Sequence, residues 1–354
     1  MASTVSPINP YTPLSAVPSS SPSPKSLSPL SNYLSRFSKW RAELGLPNPG
    51  SVENLQKEVK ATHLTNYAFD GGRADLTKSM SMSPLFQVTH SFALGSQTMA
   101  PSYNFGAMYA TENACGVDHD GNVSARVNQG WANGHVSKAQ AQLSQTPGHN
   151  LLQLEQDFSG QDFNVNLKAV NPWPSDLTGI FVGSYLQSLT KNFACGTEMV
   201  FQRPTPSTAE LVATYLAKYT SSDKSWIATA QLQPAGILQA TYWHKLSEKV
   251  DFAADLQLVA TPMRRDAVAT LGAKFDLRLS TFRAQLDSTG KVSALLEQRF
   301  TPTFAFLMSG EIDHLKNSAK VGVGVMIESS ALSPEEMEMQ MQQMQMQQSL
   351  TSPP

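Results

Sequence analysis

The feature that most constrains this chain is a two-residue alternation of apolar and polar side chains between about residue 68 and residue 328. Its clearest example is the last stretch, residues 320–328. Odd positions there are Val, Val, Val and Ile, and even positions are Lys, Gly, Gly, Met and Glu. Because successive side chains of a β-strand point to opposite faces, this stretch predicts a strand with one purely aliphatic face. Such a face must be buried against a protein core or against lipid.

Turn signals divide the alternating region into about nineteen segments of about ten residues, from 72–79 to 318–328. Most of these turns contain Gly or Pro, as in Asp120-Gly121, Asn133-Gly134 and Ser159-Gly160. About ten residues is the length that a tilted membrane strand requires. An open sheet of this size would leave edges, whereas a closed barrel has none. The pattern therefore predicts an all-β transmembrane barrel of about 19 strands. It is antiparallel throughout, except that an odd number makes the first and last strands close in parallel.

Composition alone allows a simpler interpretation, a soluble β-sandwich. Charged residues make up 15% of the chain, against roughly a quarter in a typical soluble protein. No stretch approaches the roughly 20 apolar residues of a membrane helix. A sandwich, however, rarely needs nineteen strands that are all polar on one face and apolar on the other.

The formal net charge of −2 argues against a nucleic-acid partner.

The region before the barrel divides at about residue 30. Residues 1–30 are rich in Ser and Pro and predict a disordered tail. Residues 31–66 predict a helical segment, in which Tyr33, Phe37 and Trp40 recur at helical spacing. These three aromatic residues are candidate contacts for a partner, although packing on the barrel itself is an equal alternative.

A second helix is predicted to begin at Ser51, a good N-cap residue. Val52, Leu55 and Val59 form a narrow apolar stripe on it, which suits a helix that rests on a single wall. The barrel is expected over residues 67–328. Residues 329–354 predict a short C-terminal helix, which starts at Ser333 with Pro at the next position, and a tail.

The sequence offers no catalytic or cofactor-binding motif. Cys115 and Cys195 are the only cysteines, which excludes a disulfide framework and a cysteine-rich metal site and indicates an intracellular protein. The sequence contains neither His-Glu-x-x-His nor Cys-x-x-Cys, and its seven histidines are scattered. An enzyme, a metal and a bound cofactor are therefore not expected.

Acidic side chains recur at the polar positions of the alternating segments, and these positions would line the lumen of a barrel. A lumen that carries carboxylates would favour basic polypeptides weakly enough at each site for them to leave again. Bases such as Lys138, Lys168 and Lys274 occur at polar positions too, so the acids could instead only pair with them across strands. The candidate acids are Glu155, Asp157, Asp162, Glu198, Asp251, Asp255, Asp276, Glu297, Glu311 and Asp313. The first three are expected to form one patch around the Ser159-Gly160 turn.

Several stretches resemble a known family. They are Asn48-Pro-Gly-Ser-Val-Glu-Asn-Leu-Gln-Lys-Glu-Val, Phe86-Gln-Val-Thr-His-Ser-Phe-Ala-Leu, Tyr185-Leu-Gln-Ser-Leu, Tyr242-Trp-His-Lys and the closing residues 320–327. Together they are similar to the central channel subunits of the TOM complex, the protein translocase of the mitochondrial outer membrane. The Ser/Pro-rich head and the Met/Gln-rich tail resemble the fungal form. The resemblance covers about residues 48–328.

The resemblance implies an integral outer-membrane barrel of the mitochondrial porin superfamily with a helical segment inside the pore. Unfolded precursor proteins with basic presequences would pass through it. Its implied partners are receptor and tether subunits, small single-span subunits, small intermembrane-space chaperones, membrane lipids and further barrels in an oligomer. The last strand also resembles the sorting signal of mitochondrial barrels, at Lys320, Gly322, Val325 and Ile327.

Two other functions stay open at this point. A metabolite pore of the voltage-dependent anion channel type would have the same barrel, but the long flanking tails and the acids at lumen positions favour a cationic polypeptide. A soluble β-rich binding protein would be extracted without detergent.

Overall fold

The structure of the protein is a computed structural model that describes residues 40–41, 43–65, 67–82, 84–96, 100–111, 113–131, 134–146, 148, 150–173, 176–261, 264–301 and 303–329. The chain forms two units, Met1–Gly45 and Leu46–Pro354. In the first unit, Trp40, Arg41 and Glu43 have helical backbone and Trp40 is exposed. The predicted tail over residues 1–30, the aromatic residues Tyr33 and Phe37, and the predicted C-terminal helix lie outside the described residues.

The described residues of the second unit form nineteen strands. They are β1 (Gly71–Met82), β2 (Leu85–Ala93), β3 (Ser102–Ala110), β4 (Ala114–Asp118), β5 (Val123–Trp131), β6 (His135–Leu143), β7 (Leu151–Ser159), β8 (Phe163–Trp173), β9 (Thr178–Ser188), β10 (Phe193–Thr205), β11 (Thr208–Thr220), β12 (Trp226–Gln233), β13 (Ile237–Ser247), β14 (Val250–Ala260), β15 (Arg265–Asp276), β16 (Ser280–Asp287), β17 (Lys291–Thr301), β18 (Phe304–Asp313) and β19 (Ser318–Ser329).

The strands form one closed barrel. Each strand from β1 to β18 pairs antiparallel with the next strand in sequence, and β19 pairs parallel with β1. The parallel seam runs from Gly71 opposite Gly322 to Lys78 opposite Ser329. Closure leaves no strand with unpaired backbone groups on one side, which is what a lipid environment demands. The predicted barrel, its strand number and its parallel closure are confirmed.

The barrel has two rims, which can be named by the strands that end there. Turns after odd-numbered strands, together with the end of β19, form the odd rim. Turns after even-numbered strands, together with the start of β1, form the even rim.

The two faces of the wall differ as the alternation predicts. On β19, Val321 and Val323 are exposed while Gly322 and Gly324 are buried. On β7, Leu152 and Leu154 are exposed on the same outward face. Large apolar side chains therefore cover the outside of the barrel, as expected for a surface that meets lipid acyl chains.

Aromatic side chains form stacked pairs on the outward face near the odd rim. Trp226 stacks with Tyr219 at 4.9 Å between ring centroids and lies 5.9 Å from Tyr242. Phe275 and Phe282, and Phe300 and Phe304, make similar pairs. Such a girdle is typical of the interface between lipid and water. Trp243 alternates with Tyr242 and therefore faces the lumen instead of joining the girdle.

The helix predicted from Ser51 is interrupted. A 3-10 turn covers Val52–Asn54, and a short helix, α1, covers Lys57–Thr62. Gln56 between them has a non-helical backbone, and Ser51 accepts a hydrogen bond from the Asn54 side chain instead of capping a backbone N–H. Among the helices in the described part of the chain, none is long and apolar enough to cross a bilayer.

Candidate functional site

The stretch from Leu46 to Phe69, here called the internal segment, begins at the odd rim. The side chain of Asn48 donates a hydrogen bond of 2.7 Å to the carbonyl oxygen of Gly160, in the turn after β7. The hydroxyl of Ser188, at the end of β9, donates one of 2.7 Å to the carbonyl oxygen of Pro47. These contacts attach the start of the segment to two neighbouring turns.

Apolar and charged contacts then hold the segment to the wall of β8–β11. Leu55 is 1% exposed and packs with Leu186, Ala194 and Leu216. The ammonium group of Lys168 lies 2.8 Å from the carboxylate of Glu53. These contacts combine burial of apolar surface with a partly shielded ion pair, so the segment has a defined position on this part of the wall.

The segment next crosses to β13–β16. Helix α1 packs against β13, β14 and β15. The ring of His63 lies over Gly272 of β15, and the backbone N–H of Leu64 donates a hydrogen bond of 2.7 Å to the side chain of Gln285 on β16. The predicted stripe of Val52, Leu55 and Val59 is therefore divided between two parts of the wall instead of resting on one.

Phe69 ends the segment against the closing strand at the even rim. Its backbone N–H donates a long hydrogen bond of 3.4 Å to the hydroxyl of Ser309 on β18. Its ring and carbonyl oxygen lie against Gly322 and Gly324 of β19. Two residues later the chain enters β1 at Gly71.

These contacts identify the inner face of the barrel. A single segment touches strands from β7 to β19 on one face, and only a position inside a closed barrel permits this. The internal segment therefore crosses the lumen from the odd rim to the even rim. The lumen-facing register then follows around the whole barrel from the strand pairings.

The opposite part of the lumen is lined by β2–β6, here called the open wall. A cavity of about 580 Å³ lies against it. Its lumen-facing side chains are short or uncharged for the most part, and Asp118 and Arg126 are the charged residues in the lining. The lining includes Gln87, Thr89, Gly106, Met108, Ser124 and Gln140. This wall offers a hydrated surface with few strong binding groups.

Nine of the ten candidate acids lie on lumen-facing strand positions, and five of these have a base within 4.0 Å. Lys138 contacts Glu155 at 2.7 Å and Asp157 at 4.0 Å, so the structure brings these two acids together. Three further acids each lie close to one base: Asp276 to Lys274 at 2.5 Å, Glu311 to Lys291 at 3.0 Å, and Glu297 to Arg299 at 3.1 Å. These five carboxylates are largely neutralised by the wall itself.

The remaining acids have other surroundings. Glu198 lies near both Glu53 and Lys168. Asp255 has only long hydrogen bonds from Gln239, at 3.3 and 3.4 Å. Asp251 faces Lys245 across the strand pair. Asp313 accepts hydrogen bonds from backbone N–H groups of the β18–β19 turn.

Asp162 does not join the patch that the sequence suggested. It lies in the β7–β8 turn and accepts a hydrogen bond of 3.3 Å from Gln187. Gln187 pairs with Phe163 and therefore belongs to the outward register of β9. The turn directs Asp162 to that side because it breaks the alternation between Ser159 and Phe163.

Three polar positions of the lumen were not singled out from the sequence. Asp75 on β1 is buried and lies 2.6 Å from Arg73, next to the seam. Lys218 on β11 donates a hydrogen bond of 3.0 Å to the carbonyl oxygen of Pro49. His63 is 6% exposed. The alternation of β1 and β11 could have placed the first two in the lumen, but no local signal marks His63.

His63 lies in the loop after α1, outside all nineteen strands. Its imidazole ring is buried near the Asp255 carboxylate and the Gln285 side chain. Neither ring nitrogen has a hydrogen-bond partner within the described residues.

One group of side chains in the described part of the chain could share a metal ion. The donor atoms of Asp118, His119 and Asp120, at the β4–β5 turn, lie within 4.8 Å of one another. All three residues are exposed, and the hydrogen bond to Asp118 raises the pKa of His119. The three groups already pair with one another, so we assign no metal centre to them.

Comparison with known proteins adds to this geometry. Residues 48–322 match the model of the eukaryotic porin family. The chain is 40% identical over 331 residues to the mitochondrial import receptor subunit tom40 of Neurospora crassa, which covers 87% of this chain and 91% of that protein. It is 38% identical over 332 residues to TOM40 of Saccharomyces cerevisiae, with 86% and 85% covered. The Homo sapiens TOM40 homolog is 30% identical over 296 residues, with 80% and 79% covered.

Proposed function

This chain belongs to the eukaryotic porin family, within its Tom40 group of mitochondrial import receptor subunits, and on this basis we propose a path for polypeptides through its lumen. The protein is a channel of the mitochondrial outer membrane translocase through which proteins are imported, and it is not an enzyme. It is an integral protein of that membrane.

We propose that an unfolded precursor passes along the open wall while the internal segment occupies the other side of the lumen. The observation that carries this proposal is the division of the lumen: the segment contacts β7–β11, β13–β16, β18 and β19, and the cavity lies against β2–β6. A surface of short and uncharged side chains has few groups that would hold a moving chain.

The test is single-channel recording on the purified protein with a basic presequence peptide added. A translocation channel should prefer cations and show block that depends on the peptide. Anion preference together with indifference to the peptide would favour a metabolite pore and overturn the proposal.

We propose that the lumen acids attract basic presequences, and that some of them do so more strongly than others. Glu198, Asp251 and Asp255 lack a close ion pair among the described contacts, so their charge is available to a passing cation. Glu155 and Asp157 share Lys138, and a presequence would have to compete with it. The charges of Asp276, Glu297, Glu311 and Asp313 are likewise engaged in hydrogen bonds or ion pairs. Asp162 is directed away from the lumen by its turn and is expected to contribute least.

Replacement of the carboxylates with neutral amides distinguishes how much each of these two groups of acids contributes to peptide block. The triple variant Glu198→Gln, Asp251→Asn, Asp255→Asn should weaken peptide block, because three available charges are lost. The double variant Glu155→Gln, Asp157→Asn should weaken it less. Equal block in the triple variant and the wild type would remove these acids from the mechanism.

The protein works with other import subunits, as the names of its relatives imply. The finer assignment is a proposal: receptor and tether subunits, small single-span subunits on the outward face, intermembrane-space chaperones, lipids and further barrels in an oligomer. Trp40, with Tyr33 and Phe37, is proposed to contact a partner or a precursor on the intermembrane-space side. Isolation in mild detergent, with Trp40→Ala as the variant, should show a lost partner; an unchanged complex would contradict this contact.

The closing strand is proposed to carry the sorting signal for insertion, at Lys320, Gly322, Val325 and Ile327. Its position supports this, because β19 must pair with both β18 and β1 before the barrel is complete. The outward-facing changes Val325→Ala and Ile327→Ala should slow assembly in isolated mitochondria. Assembly at the wild-type rate would exclude the assignment.

A further inference from the structure

The ring of His63 fits the wall only because position 272 is glycine. An ideal Cβ atom on Gly272 would lie 2.8 Å from Nδ1 and 3.1 Å from Cε1 of the ring. A contact below 3.0 Å requires one of the two groups to move. Gly272 lies in the middle of β15 with an ordinary strand pairing, opposite Ala253 and Gln285, so no turn explains a glycine here.

The surroundings of His63 make this contact a fixed point of the internal segment. The backbone N–H of the next residue, Leu64, is bonded to Gln285, and Arg283 lies 4.4 Å from the ring centroid of Tyr67. Charged groups reach this part of the lumen from each strand: Asp255 from β14, Lys274 from β15 and Arg283 from β16.

A second glycine contact lies at the end of the segment, where Phe69 meets Gly322 and Gly324. His63 directly follows α1, which ends at Thr62. The first contact therefore positions the end of α1 in the lumen.

We propose that Gly272 is a positioning residue: by admitting the ring of His63, it holds the internal segment against β13–β16 and so sets the width of the path along the open wall. This deepens the proposed function, and its biological meaning rests on that function. The test of the geometry itself requires only that the barrel conducts ions, whatever its function.

The test is the variant Gly272→Ala, with Gly310→Ala as its matched control. Gly310 lies within β18 next to lumen-facing Ser309, so it belongs to the outward register, and it has no atom within 4 Å of its Cβ position. The two variants therefore add the same methyl group to a barrel strand, and only one of them meets the internal segment.

Two measurements report on the position of the segment. The first is labelling of histidines by diethylpyrocarbonate, with the yield at buried His63 compared with that at exposed His314 by mass spectrometry. The second is the mean single-channel conductance. In Gly272→Ala we expect His63 labelling to rise roughly two- to a hundred-fold, the range that contacts between neighbouring residues span. The mean conductance should rise as well, and Gly310→Ala should match the wild type in both.

The variant His63→Ala keeps the proposal testable if Gly272→Ala fails to insert, because it removes a side chain and creates no clash. It should raise the conductance too. The double variant His63→Ala, Gly272→Ala should add nothing further, because both changes remove one contact. Wild-type conductance in His63→Ala, or a protected His63 in Gly272→Ala, would overturn the proposal. Cation preference and peptide block in the same recordings test the proposed function separately.

Discussion

Replacement of Leu55 with alanine should release the internal segment while the barrel stays intact. Leu55 is almost fully buried among Leu186, Ala194 and Leu216. Removal of a buried leucine side chain costs about 2–5 kcal/mol, because apolar contacts are lost and a cavity remains. Since every 1.4 kcal/mol is a factor of ten, the ratio of seated to released segment should fall roughly 30- to 4,000-fold. The strand ladder is not involved in this loss.

Hydrogen exchange of the α1 amides measures this ratio. The backbone N–H groups of Lys60 and His63 donate to the carbonyl oxygens of Gln56 and Val59, both at 2.9 Å. Exchange at such amides requires local opening, so their protection factors should fall by the same factor as the ratio of seated to released segment. Protection of the strand amides should not change.

The matched control is Leu154→Ala, which removes the same atoms from the outward face of β7, where Leu154 is 42% exposed. This variant should leave the α1 amides protected. Equal exchange of α1 in the two variants would refute the reasoning, because it would show that burial of Leu55 does not hold the segment.

A further prediction concerns ion pairing. Lys138→Gln should destabilise the barrel by about 1–3 kcal/mol, because Glu155 keeps only its bond from Asn166 at 2.8 Å. Adding Glu155→Gln should recover part of this loss in thermal unfolding, and a double variant no more stable than the single one would count against the pair.

The strands could be predicted from the sequence because the two-residue period is a local property. β19 spans Ser318–Ser329 and so ends one residue beyond its expected limit. The same period placed Glu155 and Asp157 at positions that share a face. It failed at Asp162, because a turn separates that residue from the strand whose alternation was extended to it.

Contacts between distant parts of the chain could not be predicted. Lys138 meets Glu155 only because β6 and β7 pair in one register, which the hydrophobic pattern alone does not specify to the residue. His63 and Gly272 are separated by most of the barrel in sequence, and neither is unusual in its own neighbourhood. The interruption of the predicted helix at Gln56 has a similar origin, since the segment must follow the wall from β9 to β14.

The path of the internal segment has a consequence for the sidedness of the protein. Bacterial barrels have an even number of strands, so their two chain ends share one side of the membrane. Nineteen strands would separate the ends, but the internal segment is a twentieth crossing, and the total is even again. The chain therefore enters the barrel unit at Leu46 and leaves β19 at Ser329 on the same side.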